Sequence, residues 1–165
     1  MSLVDIVRET RIERTPRVQQ IEGIFDLSAE SVSREQWQVD LPIDAEPWNI
    51  GLIVGPSGSG KSTIANELFG DSVKQSFDWD NEKSIVDSFP KDASINDISL
   101  ALSSVGFGSP PNWLRPYSVL STGEKFRADL ARCLMSEDLI VMDEFTSVVD
   151  RLVAQFGSHA MAKSV

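Results

Sequence analysis

A glycine-rich stretch at residues 55–62 has the residue types and the spacing of a phosphate-binding loop. It reads Gly-Pro-Ser-Gly-Ser-Gly-Lys-Ser and fits the pattern G-x-x-x-x-G-K-[ST] at every fixed position. The glycines let the backbone turn so that successive N–H groups point at phosphate oxygens. Lys61 supplies a cation for the β- and γ-phosphates, and the Ser62 hydroxyl supplies a ligand for Mg²⁺. The predicted nucleotide-binding residues are Gly55, Pro56, Ser57, Gly58, Ser59, Gly60, Lys61, Ser62 and Thr63.

Two acids end an apolar run further along the chain. Residues 139–142 are apolar, and Asp143 and Glu144 follow them directly. A buried parallel strand would deliver both carboxylates to the C-terminal edge of a sheet, where ligands of open α/β sheets bind. We expect Asp143 to hold Mg²⁺ together with Ser62, and Glu144 to polarise the attacking water. Lys61 and Glu144 are therefore the predicted catalytic residues.

A third candidate site is the start of a helix predicted over residues 122–135. Ser121 and Glu124 have the S-x-x-E spacing of a capping box, and Phe126 and Leu130 fall on one helical face. These features are typical of a capped amphipathic helix with a purely structural role. The same helix start is also a potential anion site, since Gly123 allows close approach and the helix dipole favours negative charge.

Taken in order, these stretches resemble the nucleotide-binding domain of ABC-type ATPases, which are P-loop NTPases. Residues 55–63 match the Walker A motif, residues 120–124 resemble the LSGGQ signature, and residues 139–144 resemble Walker B. Residues 146–150, Thr-Ser-Val-Val-Asp, resemble the T-S-A-L-D stretch that forms the D-loop. The resemblance covers roughly residues 49–150 and is far more specific than the phosphate loop alone.

The resemblance implies ATP and Mg²⁺ as ligands and a head-to-tail homodimer that sandwiches ATP. Ser121 and Gly123 of one chain would then contact the γ-phosphate held by Lys61 of the other, and hydrolysis would open the dimer. The residues that it places in the signature, acting in trans, are Ser121, Thr122, Gly123 and Glu124. In the D-loop it places Ser147 and Asp150, and it implies adenine stacking on an aromatic ahead of Walker A, for which Phe25 and Trp37 are candidates beside a core role.

The sequence departs from the family at several positions. Thr122 replaces the first signature glycine, Glu124 replaces the glutamine, and the Q-loop glutamine is absent. The short spacing from Lys61 to Ser121 implies a reduced signature subdomain, at about residues 84–135. The only histidine, His159, lies in a predicted helix and reads as a surface or packing residue, so the switch histidine is missing.

These departures shape the expected function. The reduced subdomain disfavours an ATPase subunit of an ABC transporter, and the missing glutamine and histidine leave open a nucleotide-dependent interaction module with little turnover. The leading expectation is a soluble, non-transport ABC-type ATPase, similar to bacterial and phage members in which F-T-S-V-V-D-R follows Walker B. This chain would be C-terminally truncated, with weak or absent hydrolysis of its own.

The expected fold is α/β, with a mostly parallel sheet flanked by helices. A buried strand is predicted at residues 49–54 and an antiparallel flap at 24–43, and residues 84–86 could form another strand. Helices are predicted at 63–69, 95–105 and from 151 onward. The expected organisation is an arm at 1–23 followed by an incomplete ABC-type domain at 24–165.

Composition excludes several other classes of protein. Fifteen Lys and Arg against twenty-five Asp and Glu give a net charge of −10, which disfavours nucleic acid as a partner. No apolar run is long enough to span a bilayer, so no membrane span is predicted. The single cysteine, Cys133, excludes an internal disulfide and reads as a small buried hydrophobe, which favours a cytoplasmic setting.

Overall fold

The computed structural model describes residues 2–74, 76–143, 145 and 149–164, with only the backbone of Ser2 and Ser164. These residues form an α/β structure with one antiparallel and one parallel pair of strands, so the predicted class is confirmed. The chain divides into two units, one comprising Met1–Trp48 and Val54–Glu67 and the other Asn49–Ile53 and Leu68–Val165. The expected arm at 1–23 and domain at 24–165 stay a prediction, as does a P-loop NTPase fold.

The elements follow one another along the chain as a strand–helix–strand segment and then a mainly helical part. The strands are β1 (Ser2–Arg11), β2 (Val32–Leu41), β3 (Val73–Lys74) and β4 (Val141–Met142). The helices are α1 (Pro16–Phe25), α2 (Lys61–Phe69), α3 (Ile95–Ser104), α4 (Pro110–Trp113), α5 (Thr122–Leu134) and α6 (Arg151–Ser164). None of the helices in the described residues has both the length and the apolar character that a bilayer span requires.

The antiparallel flap of the first unit is confirmed, although its first strand comes from the predicted arm. β1 and β2 pair over their whole length, with Ser2 opposite Leu41 and Arg11 opposite Val32. Alternation of side chains sends Val4 and Ile6 to a buried face.

Helix α1 joins the two strands, and the sequence analysis missed it. Thr15 is its N-cap and its hydroxyl accepts a hydrogen bond from the Val18 N–H, while Pro16 occupies the first turn. The helix ends at Asp26, which adopts the left-handed conformation with φ of 51°. These start and stop signals are local, so they were readable from the sequence.

The second unit contains the main hydrophobic core, built around α5. The small residues Ala128 and Ala131 are fully buried on this helix, as is Leu130, and they let neighbouring segments approach closely. α3 packs against α5 on one side and α6 packs against it on another. The buried side chains that complete the core are Trp79, Ile85, Phe89, Ile98, Ala101, Leu102, Val105, Phe107, Leu120 and Phe126.

One carboxylate lies inside this core. Asp129 on α5 is only 8% exposed, and it accepts hydrogen bonds from Trp79 Nε1 at 2.7 Å and from the Tyr117 hydroxyl at 2.8 Å. The rings of Trp79 and Tyr117 stack at 5.1 Å, and the Arg132 guanidinium lies 4.8 Å from the Trp79 ring. Burial raises the pKa of Asp129, a cost that its two hydrogen bonds partly offset. The aromatic residues between 77 and 117 thus belong to the core.

Two strand predictions were wrong. Residues 49–54 form no strand, and Leu52 and Val54 are 82% and 76% exposed. A strand needs a ladder partner, and the described residues provide none for this segment, which Gly51 weakens further. Residues 84–86 begin a 3₁₀ turn, Val86–Ser88, because the Ser84 hydroxyl accepts a hydrogen bond from the Asp87 N–H.

Parallel pairing therefore rests on β3 and β4 alone among the described strands. Val73 lies opposite Val141, and Lys74 lies opposite Met142. The strand predicted at 139–142 is confirmed over its second half. The helices predicted at 63–69, 95–105 and from 151 onward are present within about two residues of their expected bounds, as α2, α3 and α6.

Replacing Asp129 by alanine should lower the free energy of unfolding by roughly 2–4 kcal/mol, because it leaves the buried Trp79 N–H and the half-buried Tyr117 hydroxyl without an acceptor. Urea denaturation followed by tryptophan fluorescence measures the change. Asp138→Ala, at an exposed position beyond α5, is the matched control and should change stability by less than about 0.5 kcal/mol. Equal losses in the two variants would contradict a structural role for the buried carboxylate.

Candidate phosphate-binding loop and neighbouring motifs

The phosphate loop lies in the first unit and adopts backbone angles that need glycine. Gly58 has φ of 77° and Gly60 has φ of 82°, both in the left-handed region. Helix α2 begins at Lys61, directly after the second of these glycines. Left-handed residues ahead of a helix turn consecutive N–H groups toward one side, which produces a concavity suited to an anion.

Lys61 folds back over the start of this loop. Its Nζ atom donates hydrogen bonds to the Gly55 carbonyl at 3.0 Å and to the Pro56 carbonyl at 2.8 Å. These contacts use two of its three N–H donors, and no described carboxylate forms an ion pair with it. Its positive charge is therefore held at the loop and left for an anion.

Trp37 of β2 packs against the same loop. A Cβ atom added to Gly60 would collide with Trp37 Nε1 and its neighbouring ring atoms. Two reasons therefore favour glycine at position 60: its positive φ, and the indole of Trp37, which leaves no room for a Cβ atom. The sequence pattern indicates the first reason but not the second. Of the two adenine-stacking candidates, Trp37 is half-buried at this contact and Phe25 is exposed.

The remaining loop residues present polar groups at the surface. Ser57 and Gly58 are exposed, and Ser59 donates its N–H to the Pro56 carbonyl at 3.3 Å. Ser62, the predicted Mg²⁺ ligand, is exposed in the first turn of α2, and Thr63 is half-buried next to it. The hydroxyl of a serine at this position is chemically suited to coordinate Mg²⁺.

The predicted Mg²⁺ ligand Asp143 lies in the second unit. It follows β4 immediately and is half-buried at the C-terminal end of the parallel pair, as expected. The predictions for Glu144 and Ser147 lie outside the described residues. Asp150 caps α6, since its carboxylate accepts hydrogen bonds from the N–H groups of Leu152 and Val153 at 2.9 and 3.0 Å.

The signature stretch, also in the second unit, forms the predicted capping box at the start of α5. The Ser121 hydroxyl accepts a hydrogen bond from the Glu124 N–H, and the Glu124 carboxylate accepts from the Ser121 N–H at 2.9 Å. The Ser121 hydroxyl also donates to that carboxylate at 2.7 Å, and Asn112 Nδ2 donates to it at 2.6 Å. Thr122 is exposed and Gly123 is half-buried.

The charge state of Glu124 follows from these bonds. The pKa of Glu124 lies below its ordinary value, first because the Ser121 hydroxyl donates to the carboxylate and second because the Ser121 N–H does. Glu124 is therefore ionised at neutral pH. Its negative charge lies at the start of α5.

Two further residues can be placed. Cys133 is half-buried, and its thiol donates to the Met142 sulfur at 3.6 Å. Burial raises the pKa of Cys133 to about 12, so it stays a neutral thiol, as a small hydrophobe should. His159 is exposed on α6, in agreement with a surface role.

The comparisons with known proteins do not assign the chain to a family. A scan against protein-family models found no match, and searches of the curated proteins and of the solved structures found none either. The site is therefore judged on its own chemistry. The loop has features of an anion site, since it combines left-handed glycines, a helix start and a lysine for which the described residues provide no ion pair.

Replacing Gly60 by alanine should unfold or distort the phosphate loop more than replacing Gly58. Both glycines have positive φ, so both variants incur about 1–2 kcal/mol of backbone strain. Only the Gly60 variant also meets Trp37, whereas a Cβ on Gly58 meets open space. Thermal unfolding followed by tryptophan fluorescence measures the difference. Equal losses of melting temperature in the Gly58 and Gly60 variants would contradict the contact between Gly60 and Trp37.

Glu124→Gln should show that the capping carboxylate is ionised, because the difference in stability between wild type and variant should depend on pH. Since the folded pKa of Glu124 is lowered, its stabilising contribution is present above the ordinary value of 4.5 and is lost as pH falls through the folded pKa. Wild type should exceed the variant by roughly 0.5–1 kcal/mol at pH 7, and the gap should shrink on acidification. Glu137→Gln, at an exposed position beyond α5, is the control. A gap that does not vary with pH would refute the assignment.

Proposed function

We propose that this chain is a cytoplasmic ATP-binding domain of the ABC type, which binds ATP and Mg²⁺ through residues 55–63. The observation that supports this most directly is the local geometry of the loop. The sequence pattern G-x-x-x-x-G-K-[ST] coincides with positive φ at Gly58 and Gly60 and with a helix that begins at Lys61. A chance match to the sequence pattern would not by itself lead to positive φ at these glycines and a helix directly after them.

In this proposal each loop residue has a separate task. The N–H groups of the loop and of the first turn of α2 bind the phosphate oxygens, and Lys61 exchanges its carbonyl contacts for the β- and γ-phosphates. Ser62 and Asp143 are the proposed ligands of Mg²⁺, which when bound would neutralise charge on the phosphates. Glu144 is the proposed group that orients and polarises the water.

The dimer belongs to the proposal as well. Two chains would associate head to tail, so that Ser121 and Gly123 of one face the phosphates bound by the other. The exposed helix start of α5 supports this arrangement, because a helix N-terminus favours an anion. Opening of the dimer after hydrolysis would couple ATP to a change in the separation of the two chains.

A second candidate is a nucleotide-dependent interaction module with little turnover. The position of the Glu124 carboxylate favours it, since this anion already accepts the hydrogen bonds of the Ser121 N–H and hydroxyl. A γ-phosphate arriving from a second chain would compete for these donors and would be repelled by the carboxylate. Slow hydrolysis with intact ATP binding would distinguish this candidate from an active ATPase.

Lys61→Ala should weaken ATP binding by at least about thirtyfold, because it removes the charge-assisted contact to the phosphates. Isothermal titration calorimetry with ATP and Mg²⁺ measures the affinity, and Lys91→Ala, an exposed lysine outside the loop, is the matched control.

In sedimentation velocity, Glu144→Gln should trap an ATP-dependent dimer that Lys61→Ala cannot form. Unchanged affinity in Lys61→Ala would overturn the site, and a monomer at saturating ATP in Glu144→Gln would overturn the sandwich.

A further inference from the structure

A cleft in the second unit is lined by residues that belong to none of the motifs described above. It has a volume of about 470 Å³ and lies where the C-terminal end of α3 meets α5 and α6. Its walls come from all three segments, including Val105 and Gly106 after α3, Arg127 on α5 and His159 on α6. Small-molecule sites in proteins commonly have a volume of this order.

Three basic side chains line this cleft in a chain with a net charge of −10. Arg127 comes from α5, and His159 and Lys163 are four residues apart on one face of α6. Across the described part of the chain, the side chain of none of the three forms an ion pair or a hydrogen bond.

Arg127 lies along the wall of the cleft beside two glycines. A Cβ added to Gly106 would lie 3.8 Å from Arg127 Nε, and one added to Gly123 would lie 3.5 Å from Arg127 Nη1. The guanidinium therefore extends from the start of α5 to the turn after α3. A guanidinium can make a bidentate contact to an oxyanion.

Apart from Ser104, whose hydroxyl donates to the Ala101 carbonyl, the rest of the lining is apolar. Val105 is buried beneath it, Ala160 is half-buried, and the Phe156 ring is 68% exposed at its edge. An exposed aromatic ring that lines the same cleft as Arg127 and Lys163 suits a ligand that has both an apolar part and a negative group. An inorganic anion alone would leave the apolar side chains of the cleft exposed to water.

We infer that this cleft binds a small phosphate monoester of an apolar or aromatic alcohol. Arg127 and Lys163 contact the phosphate, His159 lies beside it, and Phe156 packs against the apolar group. The inference does not depend on the proposed ATP site, since none of these residues belongs to the phosphate loop or to the Mg²⁺ ligands. It adds a second, separate ligand site to the chain.

The test uses phenyl phosphate with the full chain carrying Lys61→Ala, so that the phosphate loop does not contribute. Titration followed by NMR of the backbone amides should give saturable shifts at Gly106 and along α6. Arg127→Gln and Lys163→Gln should each weaken binding about tenfold, which is the loss of one charge-assisted contact. Lys91→Gln removes the same charge at an exposed position elsewhere and should leave binding unchanged.

Two further arms test the apolar half of the site. Inorganic phosphate should bind more weakly than phenyl phosphate to the same protein, and Phe156→Ala should bring the two affinities together. The inference is overturned if phenyl phosphate gives no saturable shift, if Lys91→Gln loses as much affinity as Arg127→Gln, or if inorganic phosphate binds equally well. Circular dichroism of each variant confirms that the fold is retained, which is expected because Phe156 and Lys163 are exposed.

Discussion

The second unit depends on one buried carboxylate. Asp129 lies on the helix that most of the core surrounds, and it accepts hydrogen bonds from Trp79, fifty positions earlier, and from Tyr117. A buried charge is costly unless it is paired, so these two donors must stay in place for α5 to remain in its present position. This helix carries the capping box at its start, Arg127 on one side and Cys133 against β4. The candidate sites of this unit therefore all depend on the position of α5, which the Asp129 hydrogen bonds maintain.

The phosphate loop depends instead on local geometry. Two left-handed glycines, the start of α2 and the contacts from Lys61 to two carbonyls all lie within eight consecutive residues. Trp37 reaches it from a distant part of the sequence. A loop of this kind keeps its capacity to bind an anion without a large surrounding sheet, because its donors are its own backbone N–H groups.

The features that the sequence predicted correctly are set by local geometry, and most of those that it missed depend on contacts between distant residues. The capping box of Ser121 is set by neighbours within four residues, and so is the helix after the phosphate loop, which was predicted from residue 63 and begins at Lys61. Pattern and spacing were therefore sufficient for both elements. The strand at 49–54 was wrong because an apolar run does not show which ladder partner it meets, and α1 was missed although its Thr-Pro start was local. The Trp37 contact and the Asp129 cluster could not be predicted, since they join residues that only the tertiary fold brings together.

The central claim is that residues 55–62 bind ATP through their backbone N–H groups. The most direct measurement is a titration of the wild-type chain with ATP and Mg²⁺, followed by the amide resonances in two-dimensional NMR. The account predicts saturable shifts that are largest for the N–H groups between Gly58 and Thr63. Shifts that do not saturate, or that spare these amides while others move, would contradict it.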